Sequence, residues 1–173
     1  RIAVVANVGD SRAVLCRNGS AMELTVDHKP SSADEKARIE AQGGKVIWSG
    51  LLDDEGNPVH HSGVYRVNGN LALSRAIGDR SERPSVTAEP DTFLVPLTDV
   101  DDYIVLASDG VWDVMSSNDV VKFIRNKLTK GSPSTQKTKA LQQSMANFVV
   151  DEALRRGTVD NVSVVIVWLQ RDS

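Results

Sequence analysis

The chain has 173 residues, 40% of them hydrophobic and 25% charged, with a formal net charge of −3. That is the make-up of one soluble globular domain able to bury a sizeable core, and the mild acidity without a long basic run weighs against a nucleic-acid partner. No apolar segment reaches the ~18 residues needed to span a membrane, and the one cysteine, Cys16, excludes an internal disulfide and suits a reducing cytoplasmic or nuclear setting.

The first residues already read as strand, so the chain looks cut from something longer. Ile2 to Val8 is a nearly continuous apolar run, the pattern of a central strand buried on both faces. It ends at Gly9-Asp10. Arg12 to Arg17 continues as strand, Asn18-Gly19 signals a hairpin, and Ala21 to Thr25 pairs back, which predicts a small antiparallel meander. Cys16 sits inside a strand pattern and reads as buried filler. His28, between a strand and Pro30, could serve as a ligand or an acid–base group, but a lone histidine there reads as a structural hydrogen-bonder. A helix is predicted over 33–42, with Ser32 and Glu35 as a capping box and Gly43-Gly44 as the stop.

Lys45 to Trp48 is a short strand. Residues 49–63 form an irregular stretch with three glycines and an acidic cluster, and read as an exposed loop or flap. His60-His61 near Asp53, Asp54 and Glu55 suggests a metal, but adjacent side chains diverge on an extended chain, so a solvated loop is the better reading. Val64 to Val67 is a strand. Arg66 and Arg75 could grip phosphate as guanidinium forks, or serve in ordinary salt bridges. Thr92 to Val95 is another strand.

Tyr103 to Ala107 is apolar and β-rich and stops at Ser108-Asp109-Gly110, with Trp112 and Asp113 close behind. Taken alone, Asp-Gly marks a turn more often than a site. A helix follows, capped by Ser116 or Ser117, with Val120, Val121, Ile124 and Leu128 on its buried face. A polar connector runs from Thr129 to Gln136. A longer helix covers Lys137 to Arg156, where Leu141, Met145, Phe148 and Val149 form a core stripe. Asp160-Asn161 precedes a last apolar strand that ends at Leu169.

Acids thus stand at the ends of three apolar strands: Asp10, Asp109 and Asp160. If 103–107 and 162–169 pair antiparallel, Asp109 and Asp160 share one sheet edge. Asp10 joins them if the first strand runs parallel to 103–107. Clustered carboxylates need a compensating cation, and oxygen ligands suit Mg²⁺ or Mn²⁺.

VANVGDSRAVL, LTVDHKP, ARIEAQGGKV, RVNGNLALSRAIGD, VTAEPD, YIVLASDGVWDV and VDNVSVVIVWL follow one another along this chain. In that order they resemble the metal-dependent type 2C protein phosphatases. The resemblance implies an α+β fold, two antiparallel β-sheets sandwiched between antiparallel helix pairs, with 117–128 and 137–156 as one pair. It implies Mg²⁺- or Mn²⁺-dependent hydrolysis of phosphoserine and phosphothreonine in proteins by in-line attack of water, without a phosphoenzyme. Asp109 and Asp160 match the two C-terminal metal ligands. Asp10 and Asp113 match acids of a weaker third site. Gly110 allows close packing, and Asn161 supports Asp160. Residues 46–63 match the family's flap, which influences substrate choice and could take a protein regulator; Trp48 resembles a flap Trp that plant hormone-signalling members use to dock a receptor, with packing as the plainer role.

The family's N-terminal DGHGG motif, and the phosphate-binding Arg upstream, are absent from this sequence. The chain therefore reads as one incomplete catalytic domain, residues 1–173, holding about half of a two-metal site and exposing an apolar face that the rest would cover. A non-catalytic interaction module on the same scaffold is the competing reading, and an unrelated metal-binding module a distant third.

Overall fold

In the computed structural model, which describes residues 1–129 and 135–169, the chain divides into two compact units. The first comprises Arg1–Ala6, Ser11–Val26 and Thr92–Ser173; the second comprises Asn7–Asp10 and Asp27–Asp91.

The first unit is built on a four-stranded antiparallel sheet. Its strands are β2 (Arg12–Arg17), β3 (Ser20–Glu23), β7 (Asp101–Ala107) and β8 (Val164–Trp168), in the order β3-β2-β7-β8. The β2–β3 hairpin turns at Asn18 and Gly19, both at positive φ (48° and 74°), as a two-residue Asn-Gly loop requires. In β7, Asp101, Tyr103, Val105 and Ala107 are buried, and Leu106 is exposed. The period-2 pattern therefore gives this sheet two different faces.

One face carries Val14, Cys16, Tyr103, Val105 and Ala107 against α3 (Ser117–Thr129) and α4 (Thr135–Arg155). Ser116 caps α3: its Oγ accepts from the Asp119 amide at 3.1 Å, and Asp119 Oδ2 accepts from the Ser116 amide at 3.1 Å. Val120, Val121 and Ile124 of α3 meet Met145, Val149 and Ala153 of α4, all fully buried or nearly so. Burial of each of the larger side chains contributes about 1.5–3 kcal/mol. The Met and Phe stripe is core, as its spacing predicts. Cys16 is fully buried, and burial pushes its thiol up from the ordinary value. Of the predicted polar connector, residues 130–134 lie outside the described residues.

The other face, Ala13, Leu15 and Leu24, packs with Val95, Ala3, Val5 and Phe93. These come from β1 (Ile2–Asn7) and β6 (Asp91–Pro96), which form a separate two-stranded sheet. This corrects two expectations. β1 is not a strand of the β2–β3 meander, and it is not buried on both faces: Ile2 and Val4 are 66% and 70% exposed. Its apolar run fixes one packed face, through Ala3 and Val5, while the alternate residues face outward.

The second unit holds α1 (Ala33–Ala41) and a hairpin of β4 (Val46–Ser49) and β5 (Val64–Val67) around Ile39, Val67 and Val86. The predicted capping box does not form. Ser32 makes no side-chain cap bond, because Glu35 turns inward to Arg75, Arg38 and Ser74. Residues 46–63 are more ordered than an irregular loop. Beyond the predicted strand they contain a bridge between Leu52 and Pro58, a turn in which Asp53 Oδ1 accepts from the amides of Glu55 and Asn57, and a 3₁₀ turn at His60–Ser62. Among the described residues no helix is long and apolar enough to cross a membrane.

Candidate metal-site edge

β7 and β8 pair antiparallel with Ala107 opposite Val164, so the C-terminal end of one lies beside the N-terminal end of the other. Ser108 continues the contact one residue beyond the ladder. Its amide donates to Ser163 O at 3.1 Å, its hydroxyl donates to Asn161 O at 3.1 Å, and its Oγ accepts from the Ser163 amide at 3.0 Å. Asp109 opens the short helix α2 (Asp109–Trp112), and Asp160 stands in the turn that Ser108 holds. The predicted antiparallel pairing is therefore present, and Asp109 and Asp160 flank one sheet edge.

Gly110 is buried, and a β-carbon there would stand 2.6 Å from Asn161 O. Only glycine lets the two segments approach this closely. Asn161 supports Asp160 through its backbone, its amide donating to Asp160 Oδ1 at 2.6 Å. The Asp113 amide donates to Asp109 O at 2.9 Å, which puts the exposed Asp113 one helical turn on, on the same side as Asp109. Trp112 anchors this segment. Its indole N–H donates to Ala107 O at 2.9 Å, and the Arg12 guanidinium lies 5.2 Å from its ring centre. Sequence reasoning gave Ser108, Trp112 and Arg12 no role. The Trp between two acids was the available signal.

Asp10 belongs to the second unit. The strand before it, β1, pairs with β6 in a sheet separate from that of β7. Its carboxylate takes a hydrogen bond from the Lys29 ammonium, a cationic partner that sequence reasoning passed over. Arg75 is 14% exposed in its side chain, and its guanidinium donates to Glu35 at 2.8 Å and Asp91 at 2.8 Å. This is the salt-bridge arrangement held as the alternative to phosphate binding. Burial raises the Glu35 carboxyl, but hydrogen bonds from Arg75, Arg38 and Ser74 outweigh it and hold the group at about 2. Arg66 donates to Asn70 O at 2.8 Å. Trp48 is half-buried, edge-on to Tyr65 at 5.1 Å and His60 at 6.0 Å, with its N–H on Leu51 O at 2.9 Å, so its geometry is that of packing.

Carboxylate oxygens are the right chemistry for a hard divalent cation. Among the described residues, however, no three His, Cys, Asp or Glu side chains gather closely enough to hold one. Asp109 and Asp160 fit such an ion in kind and stand at one edge, where they would supply part of its coordination.

The sequence model of the family described as protein phosphatase 2C matches residues 2–162. Among curated proteins, the chain is 42% identical to "Protein phosphatase 2C 50" of Oryza sativa subsp. japonica, over 96% of this chain and 43% of that protein. It is 41% identical to "Protein phosphatase 2C 56" of Arabidopsis thaliana, over 96% of this chain and 39% of that protein. The chain thus spans about two fifths of the relatives' length. Among solved structures, a C. elegans sex-determining protein superposes with a TM-score of 0.82 at 30% identity, covering 98% of this chain and 37% of that one. A phosphatase from Toxoplasma gondii superposes with 0.75 at 32% identity, covering 96% and 47%. The motif order, the β7–β8 edge and these likenesses agree: the chain belongs to the protein phosphatase 2C family.

Proposed function

We propose that the chain contributes part of the catalytic centre of a phosphoprotein phosphatase that hydrolyses phosphoserine and phosphothreonine with Mg²⁺ or Mn²⁺. The observation that carries this reading is the close seating of Asp109-Gly110 on Asp160-Asn161. Two divalent cations, with a weaker third, would supply the charge that activates water and offsets the transferring phosphoryl group. Asp109 and Asp160 would hold them from two segments locked by Ser108, Asp113 would add a weaker ligand there, and Asp10, in the second unit, is by the same resemblance a further metal-site acid. The phosphoprotein substrate, and a regulator, would meet the hairpin at 46–63, where Leu51 and Leu52 are 68% and 57% exposed.

The test is hydrolysis of a phosphothreonine peptide under Mn²⁺ titration. The chain is assayed alone and with the N-terminal half of a family member added, beside an Asp109→Asn control. Mn²⁺-dependent turnover that the control loses supports the reading. No turnover in either format sinks it. The scarcity of ligands among the described residues favours the second reading, a non-catalytic interaction module, and that outcome would leave it standing.

A further inference from the structure

His28 is 2% exposed, and both of its ring nitrogens are used. Nδ1 accepts a hydrogen bond from the Gly9 amide at 3.0 Å. A nitrogen that accepts carries no proton, so the neutral ring holds its proton on Nε2, which lies 3.0 Å from Asp91 Oδ2 and donates to it. The His28 amide returns a bond to Gly9 O at 3.1 Å, and the Asn7 side-chain amide donates to the same oxygen at 3.0 Å. Every polar group of Gly9 is therefore fixed. Gly9 has φ +114°, a conformation other residues rarely adopt, and it directly precedes Asp10.

Behind the imidazole the bonds continue. Asp91 Oδ1 accepts from Arg75 Nη1 at 2.8 Å, and Arg75 Nη2 and Nε donate to Glu35 Oε1 at 2.8 and 3.1 Å. Ser74, beside Arg75, donates its amide to His28 O at 2.9 Å. Glu35 is anchored on α1 and is 5% exposed. An apolar side chain would fill the space around His28 without a buried polar ring to satisfy. What the ring adds is a directed grip on the Gly9 amide, which with the backbone bond to Gly9 O fixes the residue before Asp10.

We propose that His28 is a positioning residue for the Asp10 carboxylate, with Asp91, Arg75 and Glu35 holding the imidazole in the tautomer and angle that grip the Gly9 amide. This rests on the reading of Asp10 as a metal-site acid. Groups hydrogen-bonded to a metal ligand typically control metal affinity by 10- to 100-fold, and His28, which acts one residue further away, is expected at the low end.

The experiment is NMR on the ¹⁵N-labelled chain. Imidazole ¹⁵N shifts report the His28 tautomer, and paramagnetic broadening of the residue-10 amide that Asp10→Asn weakens reports Mn²⁺ bound by the Asp10 carboxylate. The Nε2–H tautomer is expected. His28→Ala is expected to need about 10-fold more Mn²⁺ for the same broadening. His28→Asn, whose Oδ1 can accept from Gly9 in place of Nδ1, is expected to recover most of that loss. Asp91→Asn, which leaves the ring in place, is expected to fall between. A proton on Nδ1 would overturn the proposal without any variant. So would folded His28→Ala, His28→Asn and Asp91→Asn chains that melt earlier but share the wild-type Mn²⁺ dependence, since that is a structural role alone. A wild-type chain whose Asp10 amide ignores Mn²⁺ would instead overturn the metal reading of Asp10, and the proposal with it.

Discussion

Gly110 lies so close to Asn161 that a β-carbon would sit 2.6 Å from the Asn161 carbonyl oxygen. The obstacle is backbone held by Ser108, not the end of a flexible side chain. Gly110→Ala is therefore expected to destabilise the chain by about 1–3 kcal/mol, and to part Asp109 from Asp160. Chemical denaturation and Mn²⁺ binding measured on the same variant check this. A folded Gly110→Ala chain with unchanged stability would contradict the close seating.

Trp112 is held by its indole bond to Ala107 O and by Arg12. Trp112→Phe keeps an aromatic ring but removes the N–H. The loss is expected to be about 1–2 kcal/mol, with the hydrogen bond the larger part. Arg12→Ala in the Trp112→Phe background should then cost less than in wild type. A double-mutant cycle reads the difference, and additive effects would show that the two do not cooperate.

Glu35 supplies a pH signature. Its folded carboxyl is depressed from 4.5 to about 2. Its contribution is present above the unfolded value, and it drains away as pH falls through the folded one. Unfolding of wild type and Glu35→Gln is expected to differ by on the order of 3 kcal/mol at neutral pH. The two should converge as pH drops from about 4.5 toward 2. A gap that stays constant with pH would mean the ionised carboxylate is not what the Arg75 and Arg38 bonds stabilise.

Leu106, Val165 and Val167 are 41%, 58% and 45% exposed, on the face opposite the helix-packed Val164, Ile166 and Trp168. The packing of β1 and β6 onto this face reaches Ala13, Leu15 and Ile104 but leaves those three open. Such contiguous apolar surface promotes association. Replacing Leu106 and Val165 with Lys is expected to lower dye binding and self-association of the isolated chain while shifting its melting temperature little. Unchanged association, measured by light scattering, would locate the sticky surface elsewhere.

Much of this was legible because the signals were local. The Asn18-Gly19 hairpin, the Ser116 cap, the core stripe of α4 and the apolar run ending at Asp109 each declare themselves within a few residues. The resemblance then turned Asp109 from a turn residue into a ligand candidate, and the antiparallel β7–β8 pairing agrees with the edge it required. The rest depended on partners far away in sequence. An apolar run does not say which strand it will meet, so the partner of β1 was misjudged. Ser32 and Glu35 have the spacing of a cap, yet Arg75, forty residues on, offers Glu35 two charged bonds. Those outweigh one cap, and the same bonds occupy the fork that might have gripped phosphate. Asp10 could not be placed from strand order, because the strand that precedes it joins another sheet.

The order β3-β2-β7-β8 also constrains how the chain is made. β2 meets β3 across a two-residue turn, but its other edge waits for β7, where Arg12 pairs with Ala107. Hairpins close in about 1–10 μs, whereas distant strands must first close a long loop. While the ribosome is still adding the residues in between, β2 presents an open edge flanked by Val14, Leu15 and Cys16, side chains destined for full burial. That interval is when the nascent protein is most exposed to pairing with the wrong strand. A chaperone binding during synthesis would find an apolar target there, before any of the acids at the β7–β8 edge exists.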